Sequence, residues 1–527
     1  MGIEHELVVV DEFDALSIEL RKPNEPSSSS SSLRAAPIEK YPAKTHARKV
    51  ADKLGVDKGL IYLQGKPTTT YEDSDMEPPF RQRRYFYYMS GADFPDAHLT
   101  YDVATDQLLL WIPTRQPREE LYLGRIPSRE DCMSRLDVDD CRDVVQMARF
   151  IAAHLKHHPG TTLFLLHSDQ APGLDDLPVQ YTGRRLDIGR LRLAVDAARV
   201  IKTPFEVRQI RRANQVSSEA HRAVLRQIRH LRSEADVEAV FVAACRVRGA
   251  RSQAYNPIAG AGANAATLHY VDNADPLKGR QTLVLDAGCE WDCYASDITR
   301  TMPAAGRKFS PEAQTIYRIV EKMQNACIDM VRPGMSYLFI QTTAQMVAIE
   351  EFLKIGLLVG DKAKIMASRV ISAFFPHGLG HHIGLETHDV HSDRLLGYDK
   401  SSAPLWLGKR LVMSVEQCDR VAELMVTTQQ QGAEARDALS EGMVITIEPG
   451  IYFNRQYIEA FCSDMPERAS FINKSVLDRY YPVGGVRIED DILVTADGYE
   501  NLTTAPKGEE ALRIINGDDV EADTVLV

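Results

Sequence analysis

Long apolar runs are missing from this 527-residue chain: nowhere does it approach the ~18 consecutive apolar residues that a membrane-spanning helix requires. There is no Cys-x-x-Cys pair. The eight cysteines (132, 141, 245, 289, 293, 327, 418 and 462) are scattered, and Cys289 and Cys293 have no second pair with which to build a zinc cage. Free thiols in a reducing compartment are the reading that follows. Basic excess is missing too. Lys and Arg number 62 against 74 Asp and Glu, a net charge of -12 with His neutral, so the chain has no general attraction to a phosphate backbone or an anionic bilayer. Neither nucleic acid nor a membrane is expected as a partner. Residues 1–20 have no basic start and no long apolar core, which argues against a secretory leader and for a cytoplasmic chain.

What is present is a globular composition, 44% hydrophobic and 26% charged, in a chain too long for one core, since single cores stop growing near ~250–300 residues. Residues 1–44 include PNEPSSSSSSLRAAP (23–37), a serine run between prolines that cannot bury apolar surface and reads as a mobile segment. From 45 to 200 helical and strand-like segments alternate. A strand is expected at 59–63, a hairpin from 98–103 and 107–112, a helix at 144–155 and a strand at 161–166. An α/β domain with a largely buried sheet is the expected architecture. The second domain, 201–527, opens at Thr203-Pro-Phe-Glu206, a capping box with proline at the first helical position. Val207, Ile210, Val224 and Ile228 are expected on the core side of that helix. Ser233-Glu-Ala-Asp236 starts the next, which carries Val237, Val240 and Phe241.

Gly260-Ala-Gly262-Ala-Asn-Ala265 matches a loose dinucleotide fingerprint. The fingerprint needs a helix directly after it to hold a pyrophosphate, whereas residues 267–276 read as strand and then turn. These glycines are expected to allow a close backbone approach instead.

The remaining motifs converge on acids and imidazoles. An apolar strand at 282–288 contains Asp286, and a second at 293–299 carries Asp297 in its middle; with a turn at 290–292 they read as a hairpin that aims both carboxylates at one place. Adjacent buried carboxylates repel unless a cation lies between them. Residues 376–389 hold His377, His381, His382 and His388, spaced by glycines that argue against a helix. Glu448 ends the apolar strand of 442–450, and a strand over 484–494 carries Glu489, Asp490 and Asp491 in its interior, where unpaired acids are costly. By alternation Glu489 shares a face with Arg487. Asp286, Asp297, His381, Glu448 and Glu489 together bring about four negative charges, a set of oxygen donors with one nitrogen that suits two ions such as Mn²⁺ or Co²⁺.

LeuHisTyr (268–270), AspAlaGly (286–288), SerAspIleThrArgThr (296–301), HisGlyLeuGlyHis (377–381), GluProGly (448–450) and ArgIleGluAspAsp (487–491) resemble the Xaa-Pro aminopeptidase and prolidase group of the pita-bread dinuclear metallopeptidases. The resemblance spans about 200–527 and, more faintly, the α/β region before it. It implies an α/β noncatalytic N-terminal domain followed by an α+β pita-bread catalytic domain. It implies two divalent ions, most simply Mn²⁺ with Co²⁺ or Zn²⁺ as alternatives, on Asp286, Asp297, His381, Glu448 and Glu489. Asp297 and Glu489 would bridge the ions, which share a hydroxide. Glu448 would also act as general base. His269, His377, His388, Arg487 and Tyr255 would face the substrate, the histidines handling the scissile carbonyl. A homodimer is implied as well.

Two activities fit the motifs: release of the first residue from Xaa-Pro-Yaa peptides, and hydrolysis of Xaa-Pro dipeptides. A dipeptidase commonly has a basic residue shortly before the Glu448 strand. Here only Arg436 stands there, between two acids, which favours the aminopeptidase, although SerPheIleAsn (470–473) looks prolidase-like. A noncatalytic peptide-binding protein is the reading from another class. Residues 392–440 are longer than the family pattern and read as an insertion, with a helix at 412–422 and a loop at 427–432.

Overall fold

The computed structural model describes residues 39–172, 186–304, 306–395, 438–464 and 466–517. The serine run, most of the 392–440 segment with its expected helix and loop, Arg436 and Cys418 lie outside the described residues. Two compact units divide at Val200 and Ile201.

The first unit is built on a six-stranded sheet of β1 (Leu60–Gln64), β2 (His98–Asp102), β3 (Gln107–Ile112), β4 (Asp140–Asp143), β5 (Leu163–Phe164) and β6 (Leu186–Asp187), in the order β4-β3-β2-β1-β5-β6. The hairpin falls where the alternation places it, with His98 opposite Trp111 and Asp102 opposite Gln107. β4, β5 and β6 add in parallel, so the sheet is mixed. Leu60, Tyr62, Leu109, Trp111 and Leu163 face the helix Met147–His157 through its Ile151 and Leu155. The strand expected at 161–166 pairs over two residues only.

In the second unit the capping box forms. Thr203 Oγ1 accepts the Glu206 N–H while Glu206 Oε2 accepts the Thr203 N–H, and the helix runs Pro204–Gln227. Ile210, Val224 and Ile228 are buried, whereas Val207 is half-buried. The second helix, Glu234–Val247, buries Val237 and Phe241 and leaves Val240 half-buried. Among the described residues eleven strands follow: β7 (Ser252–Gln253), β8 (Ile258–Ala261), β9 (Thr282–Asp286), β10 (Cys289–Trp291), β11 (Tyr294–Ala295), β12 (Thr299–Pro303), β13 (Val444–Ile447), β14 (Gly450–Tyr452), β15 (Gly485–Arg487), β16 (Asp490–Val494) and β17 (Tyr499–Asn501). They form small sheets ordered β11-β10-β7, β12-β9-β8, β13-β16-β17 and β14-β15.

Three local expectations change. Residues 267–272 form no strand; Gly262–Ala266 is a 3₁₀ turn, followed by irregular chain. The carboxylate strands are not one simple hairpin. β10 and β11 make a tight turn with Asp292 and Cys293 at positive φ, while β9 pairs with β12, Asp286 opposite Thr299. Asp297 therefore lies in the link between β11 and β12, not inside a strand. The acidic strand also breaks. β15 and β16 belong to different sheets, and Ile488 and Glu489 lie in the step between them. The glycine reading holds: the Gly262 carbonyl occupies the place a Cβ on Gly484 would take, and Gly484 has φ +73°.

Candidate active site

Three strand ends, the link between β11 and β12, and one glycine-spaced loop supply the side chains. Asp286 closes β9, and the next residues turn sharply because Gly288 leaves room for the Ser296 carbonyl where a side chain would stand. That contact brings residues 296–297 back beside Asp286. The Glu489 N–H donates to the Thr299 carbonyl at 3.1 Å, which ties the β15–β16 step to β12. The histidine loop is laid along β13 by hydrogen bonds from Ile383 N–H to Val444 O, from Thr446 N–H to His381 O and from Glu448 N–H to Leu379 O, at 3.1, 2.9 and 2.8 Å. This pairing explains why a segment without helical or strand periodicity still sets His381 next to Glu448.

The five residues expected to carry metal come together. Donor atoms of Asp286, Asp297 and Glu489 lie within 4.8 Å of one another, as do those of His381, Glu448 and Glu489, and those of Asp297, His381 and His388. His381 Nδ1–H donates to the His382 carbonyl at 3.0 Å, which turns Nε2 inward, 3.3 Å from Glu448 Oε1 and 3.4 Å from Asp297 Oδ2. A carbonyl partner on the outer nitrogen is the arrangement that orients metal-ligating imidazoles.

Electrostatically the cluster is unbalanced without a cation. Burial, with repulsion from Asp297 and Asp286, pushes Glu448 up to about 8. Burial and the neighbouring acids hold Glu489 well above the carboxylate range. Burial and Asp297 also raise Asp286, against the pull of Arg487. His381 goes the other way: burial lowers it, but Asp297 and Glu448 outweigh burial and carry it up to about 9. Without a cation the acids thus favour a protonated His381. Glu489 Oε1 is buried with no hydrogen-bond partner. An unpartnered carboxylate oxygen in a cage of acids is what a hard divalent ion satisfies, so the residues present fit such ions.

The other expected residues surround this cage. Tyr255 donates its hydroxyl toward Asp286 Oδ1 at 2.5 Å and Asp297 Oδ1 at 2.6 Å. Arg487 Nη2 donates to Asp286 Oδ2 at 2.6 Å. His377 has both nitrogens engaged, Nδ1 with the Gly378 carbonyl at 2.7 Å and Nε2 with the Tyr452 hydroxyl at 2.9 Å. His388 and His269 are exposed. The His388 ring packs edge-on against His381, with centroids 4.3 Å apart.

Sequence reasoning missed three residues. Thr299 donates from Oγ1 to Glu489 Oε2 at 2.7 Å and accepts from Arg487 Nε at 3.1 Å. The Tyr452 hydroxyl accepts from Arg487 Nη1 at 2.9 Å and links it to His377. Asp491 is fully buried behind Asp297, whose N–H it accepts at 3.0 Å. Asp491 was visible as one of three consecutive acids; Thr299 and Tyr452 carried no signal beyond lying beside motifs.

The model of metallopeptidase family M24 matches residues 208–496, more than half of the chain. The chain belongs to metallopeptidase family M24. The model of the aminopeptidase P N-terminal domain matches residues 43–164. Among curated relatives, a probable Xaa-Pro aminopeptidase of Pyricularia oryzae is 93% identical over all of both chains. One from Colletotrichum graminicola is 49% identical, over 98% of this chain and 99% of its own. Solved structures are similar as well. An Escherichia coli aminopeptidase P variant in complex with substrate has 26% identity and a TM-score of 0.70, covering 91% of this chain and 99% of its own. A zinc-substituted form of that enzyme in complex with product has 25% identity and a TM-score of 0.69 over the same shares. The fold is accordingly an aminopeptidase P type N-terminal domain followed by a pita-bread catalytic domain, and divalent metal is its cofactor class.

Proposed function

We propose that the chain is a metal-dependent Xaa-Pro aminopeptidase that releases the first residue of Xaa-Pro-Yaa peptides, with residues 201–527 catalytic and 45–200 noncatalytic. The observation that carries this reading is the convergence of Asp286, Asp297, His381, Glu448 and Glu489 within one cage, with Glu489 Oε1 unpartnered. These five would hold two divalent ions, and four hard carboxylates against one imidazole favour Mn²⁺, with Co²⁺ and Zn²⁺ as alternatives. When bound, such ions supply Lewis acidity and a water of lowered pKa.

The protein's own groups do the rest. Glu448, beside His381 at 3.3 Å, would take a proton from the attacking water and pass it to the leaving nitrogen. Any peptide nitrogen needs that proton as its C–N bond breaks; proline's nitrogen, carrying no hydrogen, in addition offers no N–H for strand-like substrate binding. His269 and His388, both exposed, would act as N–H donors toward the carbonyl oxygen as its charge develops. Arg487 and Tyr452 fix the His377 ring, whose Nδ1–H is spent on the Gly378 carbonyl.

The test compares Xaa-Pro-Yaa and Xaa-Pro substrates in chelator-stripped protein reloaded with Mn²⁺. Release of the first residue from the tripeptide only, lost with chelator and restored by Mn²⁺, is the expected result. Cleavage of dipeptides alone would replace the aminopeptidase with a prolidase, and no restoration by any divalent ion would overturn the reading.

A further inference from the structure

Where the helix Pro204–Gln227 passes the carboxylate strands it buries polar side chains. Asn214, Ser217, Ser218 and His221 are at most 3% exposed, and their spacing puts them on one helix face. Asn214 Nδ2 donates to Asp491 Oδ2 at 2.7 Å, and the same oxygen accepts the Asp297 N–H at 3.0 Å. Thr503 closes the ring: its Oγ1 donates to Asn214 Oδ1 at 2.8 Å and accepts the Asp491 N–H at 2.9 Å. Ser217 Oγ accepts the Cys289 N–H at 2.9 Å and hydrogen-bonds Ser296 Oγ at 2.9 Å. His221 Nε2–H donates to the Ala287 carbonyl at 3.0 Å.

Three of the four grip places that flank the two carboxylates, whereas Ser218 accepts the Thr504 N–H at 3.1 Å. Ala287 follows Asp286, Ser296 precedes Asp297, and Asp491 holds the backbone of Asp297 itself. Packing alone would not call for this. The apolar residues of the same helix, Val216, Ala220 and Val224, sit in an ordinary hydrophobic cluster with Phe241 and Leu285, whereas buried polar groups cost free energy unless each finds a partner.

We propose that this polar stripe, with Asn214 acting through Asp491 as its hub, is a positioning device that sets the separation of Asp286 and Asp297 for divalent ions. The proposal rests on the metallopeptidase reading of the site. Its mechanism is indirect: Asn214 touches neither substrate nor metal, but fixes the acid that fixes the Asp297 backbone.

The test titrates Mn²⁺ calorimetrically into the chelator-stripped full-length protein. Asn214→Ala is expected to weaken Mn²⁺ binding about 10–100-fold, the usual effect of removing an outer partner of a metal ligand. The peptide kcat should fall while KM changes little. Val224→Ala, a cavity in the same helix, is expected to lower the Tm and leave Mn²⁺ affinity within about twofold. The exchange Asn214→Asp with Asp491→Asn restores a hydrogen bond of opposite polarity and should recover part of the affinity. Wild-type affinity in folded Asn214→Ala, or an equal loss in Val224→Ala, overturns the proposal. Should Asn214→Ala not fold, Asp491→Asn, of nearly unchanged size, takes its place, and unchanged affinity there overturns it equally. A wild-type protein that binds no divalent ion overturns the metal reading itself, an outcome distinct from a stripe without influence on binding.

Discussion

Arg487 Nη2 donates to Asp286 Oδ2 at 2.6 Å, with only 5% and 12% of the two side chains exposed. The guanidinium is the nearest fixed positive charge to an acid that burial and Asp297 push upward. Removing one partner of a buried pair leaves the other charge uncompensated, at a cost of about 3–5 kcal/mol. Arg487→Met is therefore expected to destabilise by that order in metal-free protein and by less in Mn²⁺-loaded protein, where the ions take over the neutralisation. Urea unfolding with and without Mn²⁺ checks this, and equal losses in both states would contradict it.

Tyr255 places one hydroxyl against oxygens of two different carboxylates, at 2.5 and 2.6 Å. Tyr255→Phe keeps the ring and loses only that bridge. A stability loss of about 1 kcal/mol is expected, together with a fall in kcat of about 10–100-fold from looser ligand placement. Steady-state kinetics and a Tm measured on the same preparation separate the two effects.

The stabilisation conferred by metal should depend on pH in a definite direction. Without metal, Glu448 sits at about 8 and His381 at about 9, both above their ordinary values. A group raised in the folded state contributes stability below its unfolded pKa and loses it as pH rises through the folded value. Both contributions have therefore been lost by about pH 9. Metal binding displaces the same protons, so its affinity climbs over that range. The gap in Tm between Mn²⁺-loaded and stripped protein is expected to widen from about pH 6.5 to 9; a gap that narrows would refute this assignment.

Lys202 and Asp389 form an ion pair at 3.3 Å with both side chains 1% exposed. Asp389 follows His388 directly, so the pair anchors the end of the histidine loop. Lys202→Met should cost about 3–5 kcal/mol, and Lys202→Met combined with Asp389→Leu should recover much of it, because an apolar pair of similar volume carries no buried charge. Denaturant midpoints for the single and double variants decide the matter.

Sequence and structure divided the work unevenly. The residue types of the cage, the capping box at Thr203 and the hairpin from His98 to Ile112 were legible because they rest on local rules: a carboxylate at a strand end, a side chain that reaches its own helix, an alternation of period two. The break between β15 and β16 was not legible, since no glycine or proline marks it at Ile488 and Glu489 and only the separate pairing of β15 with β14 and β16 with β13 divides the run. Thr299 and Tyr452 were equally silent. Their hydroxyls gain meaning from Arg487, Glu489 and His377, which stand from 35 to 190 positions away. By itself, then, the sequence determined the donor set and thereby the class of ion and chemistry, because ligand hardness and charge belong to side chains. Only the tertiary structure decided which oxygens meet, which are held by Arg487 and Tyr255, that Asp491 accepts the Asp297 N–H, and that Glu489 Oε1 is among those left without a partner. Those outcomes depend on long-range pairing that no local pattern encodes.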